Sequence, residues 1–218
     1  MDASSQMVER RDIGAQLALR RIPKQERSRE RIDEILKVAM DLIGQKGIDA
    51  VTMKEIAGRS GGPIASVYQY FPNKTAIIAT LYDRYIGQMR NMLAEGLSRI
   101  AGPSDISEAS DMMVDLYTSF VRSHPPVQDL INAIQADKAL ADIDISEARQ
   151  ISEMFCQAAA PFVPENLREE FQRTAFVMCH LTVSMVRLAI KVPEREGAQI
   201  VSDFKASIHQ QLKRFVVC

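Results

Sequence analysis

The sequence predicts an all-α protein, with an amino-terminal three-helix helix-turn-helix unit and a longer helical body behind it. Apolar residues recur at steps of three and four along most of the chain, and no useful stretch alternates with the period of two expected of a strand. Alanine, leucine, isoleucine and methionine dominate the apolar set, aromatic content is 6% and tryptophan is absent, which suits helices better than strands. Glycine and proline fall between the periodic stretches, where they stop one helix and start the next.

Residues 1–26 are polar, with paired basics at Arg10-Arg11 and Arg20-Arg21, and read as a flexible basic arm with a short helical stretch near Ile13–Leu19. From Ser28 the pattern changes. Ile32, Ile35, Leu36, Ala39, Met40 and Ile43 form one stripe of an amphipathic helix. Lys46-Gly47 closes it, a cation in the last turn followed by a residue suited to the left-handed cap. Thr52-Met53-Lys54-Glu55 is a capping box that opens a short second helix. Gly61-Gly62 stops that helix, and Pro63 fits the first turn of a third one, which runs to about Tyr70 before Pro72-Asn73. Three helices of this size joined by glycine turns define the helix-turn-helix unit, residues 27–74.

The remainder, residues 75–218, reads as long-period helix. Candidate helices span Lys74 to about Arg99, Ser107–His124, Val127 to about Ala139, Ser146–Ala160, Pro164–Lys191 and Arg195–Val216. An acidic, irregular stretch is expected before Ser146.

Charge and cysteine content narrow the function classes. Residues 1–74 hold 13 Lys+Arg against 10 Asp+Glu, and residues 75–218 hold 14 against 18, so a mildly basic end joins an acidic body. Such a balance fits a surface that meets phosphates at one end only. Three scattered cysteines without C-x-x-C spacing argue against a disulfide framework or zinc knuckle and for a reducing cytoplasm. No secretory leader pattern opens the sequence. The most apolar run, Ala175–Val192, is broken by His180, Arg187 and Lys191, so a buried helix is expected there and no membrane span.

Residues 58–74, GRSGGPIASVYQYFPNK, allow two readings. The first five letters spell G-x-S-x-G, the spacing of an esterase nucleophile elbow centred on Ser60. That elbow needs a strand before the serine and an α/β sheet around it, and the helical period supplies neither. The helix-turn-helix reading accounts for more. Ile56, Ala57 and Val67 are spaced to pack against the first helix, and Phe71 joins that core. The third helix then presents Ile64, Ala65, Ser66, Tyr68, Gln69 and Tyr70 outward or sideways. Serine and glutamine can bond base edges in a major groove, and apolar side chains can meet thymine methyls. Tyr68, Tyr70 and Lys74 can reach phosphates, as can the amide-rich start of the fourth helix.

The block VTMKEIAGRSGGPIASVYQYFPNK, Val51–Lys74, resembles the DNA-binding signature of TetR-type (tetracycline-repressor-type) regulators. The lead-in RSRERIDEILKVA and Gly47-Ile48 extend the resemblance over about residues 24–80. It implies base or groove contacts at Lys54, Ile64, Ala65 and Ser66, and phosphate contacts at Thr52, Tyr68, Tyr70 and Lys74. Two positions depart from the pattern. Gly62 stands where the turn commonly has valine, and Ile64 where polar or basic residues are frequent. Lys54, Gln69, the basic arm and DNA shape are therefore expected to carry more of the specificity.

In the body, Phe171, Ala175, Met178, Thr182, Met185 and Ala189 form one stripe, and Val201, Phe204, Ile208, Leu212 and Phe215 another. Two such helices pair antiparallel and can dock on a copy of themselves. The resemblance implies a homodimer built this way, as a four-helix bundle. Seven methionines beyond residue 74, with aromatic neighbours, suit an apolar pocket. Its candidate lining is Met89, Met113, Tyr117, Phe120, His124, Phe155, Phe176 and His180. The three histidines lack metal spacing, so no metal and no cofactor is expected; His124 before Pro-Pro suits a helix cap.

The function expected is a cytoplasmic, non-enzymatic DNA-binding regulator. It would be a repressor released from a near-palindromic double-stranded operator by a small apolar or amphipathic effector. The alternatives are a helical interaction protein without DNA binding and, least favoured, a serine hydrolase using Ser60.

Overall fold

The computed structural model describes residues 26–136 and 140–215, and among them every regular element is helical. The expected basic arm lies outside the described residues except for Glu26, as do Ala139, Val216 and Cys218. The elements in order are α1 (Glu26–Lys46), α2 (Met53–Arg59), α3 (Ile64–Tyr68), α4 (Lys74–Leu97), α5 (Asp105–Ser123), α6 (Pro125–Ala136), α7 (Ala141–Ala159), α8 (Arg168–Ala189) and α9 (Glu194–Leu212). Two short 3₁₀ turns, Ala160–Phe162 and Glu165–Leu167, join α7 to α8.

The chain forms two compact units. Of the described residues, one takes in 26–85 together with 125–136 and 140–141, and the other 86–124 together with 142–215. In the first, Ile35, Leu36, Ala39 and Ile43 of α1 are buried against a core that includes Ile56, Val67, Phe71 and Ile77. The helix ends follow the sequence signals. Gly47 takes φ +76° and donates its amide to Ile43 O at 2.8 Å. Asn73 Oδ1 accepts from the Ala76 amide at 2.8 Å, capping the first turn of α4.

The second unit centres on an aromatic row. Phe171 of α8 lies 5.6 Å from Phe155 of α7 and 5.4 Å, edge-on, from Phe215 after α9. Arg168 donates to Ala160 O at 3.1 Å and Val163 O at 3.3 Å, satisfying carbonyls left over where α7 ends. Gly197 lets α9 approach α8 closely, since a Cβ there would stand 2.1 Å from Ala189 O.

One expected loop is helix. Residues 141–145 form the start of α7, with Asp142 and Asp144 in its first turn, where the helix dipole favours carboxylates. Acidity there marks a helix N-terminus and not an irregular connection. The prolines at 125 and 126 likewise open α6, where a missing N–H is harmless.

Candidate nucleic-acid interface

The interface is built from α2, α3 and the turn joining them. Thr52 Oγ1 accepts from the Glu55 amide at 3.2 Å, and Glu55 Oε2 accepts from the Thr52 amide at 3.2 Å, completing the capping box. Lys46 donates to Glu55 Oε1 at 2.5 Å, and this hydrogen bond, then that of Thr52, holds the Glu55 carboxyl below its ordinary value of 4.5. At the other end of α2, Gly61 takes φ +71° and Gly62 donates its amide to Ala57 O at 3.3 Å. That is the Schellman pattern, which needs a left-handed residue at Gly61. Pro63 then enters with φ −65° and ψ 148°, the cap position before α3.

Packing orients α3. Val67 and Phe71 are fully buried, so the opposite side of this five-residue helix is turned out. Ile64 is 41% and Tyr68 40% exposed, and Ala65 and Gln69 are also exposed. Ile64 and Tyr68, one turn apart, thus share the outward side of α3. Thr52, the N-cap of α2, and Lys54 in its first turn are also exposed.

Three expected contact residues are engaged within the protein. Tyr70 is only 9% exposed, since it packs with Phe71 on the core side. Ser66 Oγ donates to Pro63 O at 2.8 Å and accepts from Arg31 Nη2 at 3.1 Å, so its hydroxyl is engaged within the protein. Lys74 Nζ donates to Ile48 O at 2.8 Å and reaches Asp49 O at 3.5 Å. The residue the sequence reading missed is Arg31, whose guanidinium also donates to Ser60 O and, at 3.2 Å, to Ser60 Oγ. No local motif advertises it, because Ser60 and Ser66 are 29 and 35 residues away.

Ser60 faces the protein interior. It is 5% exposed, its hydroxyl donates to Ala57 O at 3.3 Å, and it sits at the end of a helix. No described strand precedes it.

In the second unit an apolar cavity of about 40 Å³ lies among α5, α7, α8 and α9. Met113, Phe155 and Met178 are among its lining residues, with Cys179, Thr182 and Gln211. Burial pushes the thiols of Cys156 and Cys179 up to about 12. The other nominated lining residues are elsewhere. Met89, Tyr117 and Phe120 are packed in the core, and burial pushes the Tyr117 hydroxyl well above its ordinary range. His124 caps α5, its Nδ1 3.0 Å from Phe120 O. Phe176 lies under the Arg149 guanidinium, 4.5 Å from the ring centre. His180 Nδ1 is buried with no hydrogen-bond partner among the described residues, 4.0 Å from Asp144 Oδ2.

The nominated dimer residues are mostly protomer core. Phe171, Met185, Ile208, Leu212 and Phe215 are buried, and Met178, Val201 and Phe204 are half-buried. The apolar side chains that α8 leaves exposed are Val177, Leu181 and Leu188. The register differs because the bulkiest stripe of α8 faces its own unit, leaving the adjacent face outward. Among the described residues no His/Cys/Asp/Glu group is arranged to hold a metal, and no helix is long and apolar enough to cross a membrane.

Comparison with known proteins places both units. Residues 35–81 match the family described as bacterial regulatory proteins, tetR family, and residues 104–216 match the tetracyclin repressor-like C-terminal domain. The chain is 31% identical over 112 residues to the uncharacterized HTH-type transcriptional regulator YdeS of Bacillus subtilis, covering 50% of this chain and 52% of that one. It is 24% identical over 136 residues to the HTH-type transcriptional repressor KstR of Mycobacterium tuberculosis, covering 62% and 61%. The match thus spans about half to three-fifths of the length of these relatives. Among solved structures, a TetR-family regulator from Streptomyces coelicolor shares the fold with a TM-score of 0.65 at 23% identity, covering 86% of this chain and 98% of that one. The efflux-pump repressor SmeT of Stenotrophomonas maltophilia shares it with a TM-score of 0.62 at 15% identity, covering 81% and 89%. With a family match that spans more than half of its length, the chain belongs to the TetR family.

Proposed function

We propose that this protein is a ligand-responsive DNA-binding transcriptional regulator, a repressor released from a near-palindromic operator by a small apolar or amphipathic molecule. The observation that carries this reading is the outward face of α3, where Ile64, Ala65, Tyr68 and Gln69 stand exposed on a helix anchored by Val67 and Phe71. A helix held this way enters a major groove, with Gln69 at base edges and Ile64 and Ala65 against thymine methyls. Thr52, Lys54 and Tyr68 are exposed to serve phosphates. Lys74 keeps part of its donor capacity for the same purpose, since an ammonium has three N–H groups. Ser66 and Tyr70 serve the interface from beneath.

The second unit supplies the response. Its apolar cavity, bordered by the flexible thioethers of Met113 and Met178, suits a small apolar effector that enlarges it. SmeT, of similar fold, is described in a complex with triclosan. Val177, Leu181 and Leu188 give α8 a face for a second copy, so two α3 helices read two half-sites. The effector acts by differential affinity for two dimer states, a coupling of about 1–3 kcal/mol.

Binding to DNA upstream of the protein's own gene, measured across salt concentrations, tests this. Affinity falling steeply with salt, and a compound that releases the DNA, are expected. Failure to bind any DNA in a salt-dependent way would leave only a helical interaction protein.

A further inference from the structure

The two glycines between α2 and α3 are there for different reasons. Gly61 is required by its backbone, at φ +71°; Gly62 does not take positive φ. What Gly62 leaves free is space, and Arg31 fills it. A Cβ on Gly62 would stand 2.7 Å from Arg31 Nη2, 3.3 Å from its Cζ and 3.1 Å from Ser66 Oγ. From α1, the Arg31 guanidinium donates to Ser60 O, to Ser60 Oγ at 3.2 Å and to Ser66 Oγ at 3.1 Å. One side chain therefore ties the C-cap of the second helix to the middle of the third. Ser66 is gripped from both sides, since its own proton goes to Pro63 O at 2.8 Å.

We propose that Arg31 is a positioning residue for sequence reading: admitted by Gly62, its guanidinium fixes the orientation of α3 and so sharpens discrimination between DNA sequences. The proposal rests on the DNA-binding reading above. α3 has only five residues and one fully buried side chain within it, Val67, so packing chooses its outward side and leaves the fine setting of its angle to polar contacts. A planar fork reaching several oxygens in fixed directions supplies what packing lacks, and a lysine cannot imitate it. Charge alone would do something else: a cation touching phosphate adds affinity for every sequence equally.

Gly62→Ala breaks the clamp without removing the cation. The methyl meets the far end of a flexible side chain, so Arg31 swings out while the backbone stays. Arg31→Lys keeps the charge and loses the fork. The test uses the full chain and compares wild type, G62A, R31K, R31A and the G62A/R31A double variant. It reads the ratio of affinities for a selected site and for single-base variants of that site. It also reads the salt dependence of binding and amide hydrogen exchange at residues 65–71 without DNA.

G62A, R31K and R31A are each expected to lower the affinity ratio roughly tenfold, as loss of a charged hydrogen bond does, and to speed exchange by a similar factor. The double variant is no worse than either single one, and the salt slope of G62A and R31K stays that of wild type. Wild-type discrimination in R31K overturns the proposal. So does an R31A variant that loses affinity equally for all sequences with a salt slope lower by about one, which marks a phosphate contact. Should the wild type bind no DNA, the regulator reading falls and the reading role falls with it. The exchange measurement then judges the clamp itself, and unchanged exchange in G62A and R31K refutes it.

Discussion

Lys74, the first residue of α4, donates its ammonium to the carbonyl oxygen of Ile48 at 2.8 Å, across 26 residues of chain. That contact ties the loop before α2 to the start of the helix after α3. Lys74→Ala leaves a partly buried carbonyl without its charged donor, at a cost of about 1–2 kcal/mol. Urea unfolding should show that loss, and DNA affinity should fall evenly across sequences. A stability equal to wild type contradicts the structural role.

The capping box at Thr52 makes the start of α2 sensitive to acid. Glu55 is held below 4.5 by its hydrogen bonds from Lys46 and Thr52. A carboxyl with a depressed value contributes stability above its ordinary value, and the contribution is lost as pH falls through the lowered one. The Thr52 and Glu55 amide NMR signals should therefore step at a pH below 4.5, and Glu55→Gln should abolish the step. A step centred at or above that pH argues against the paired carboxylate.

Gly197 and Ala189 set how closely α8 and α9 meet. A methyl at Gly197 would stand 2.1 Å from a backbone oxygen, which cannot swing aside as a side chain does. Gly197→Ala should destabilise by about 1–3 kcal/mol or more, although alanine is the better helix former. A stabilised variant in thermal unfolding would mean that the two helices stand farther apart.

The outward strip of α8 separates dimerisation from folding. Leu181→Glu with Leu188→Glu should yield a folded monomer by sedimentation at micromolar concentration, because both side chains are exposed in the protomer. Phe171→Ala removes a ring packed between Phe155 and Phe215 and should instead cost about 3–5 kcal/mol of stability. A dimer that survives the double Glu variant places the partner on another face.

The sequence made local chemistry legible and hid what depends on distance. Thr52 with Glu55, Gly47, Gly61 and Pro63 are signals read within a few residues, and each marks the helix end it was expected to mark. Val67 and Phe71 were legible as core because apolar spacing reports burial. Periodicity cannot say which neighbour covers a stripe, so Phe171 and Met185 looked like interface and are protomer core. The purpose of Gly62 was hidden for the same reason: the group that fills its space comes from Arg31, a full helix earlier.

The claim that the exposed face of α3 reads DNA is tested most directly by selecting bound sequences from random DNA with the wild type and with Gln69→Ala. The wild type is expected to select a near-palindromic site with half-sites about one helical turn apart or somewhat more. Gln69→Ala should relax preference at one symmetry-related pair of positions, costing about 1–3 kcal/mol there. Identical preferences from both proteins, or no enriched sequence from the wild type, would contradict it.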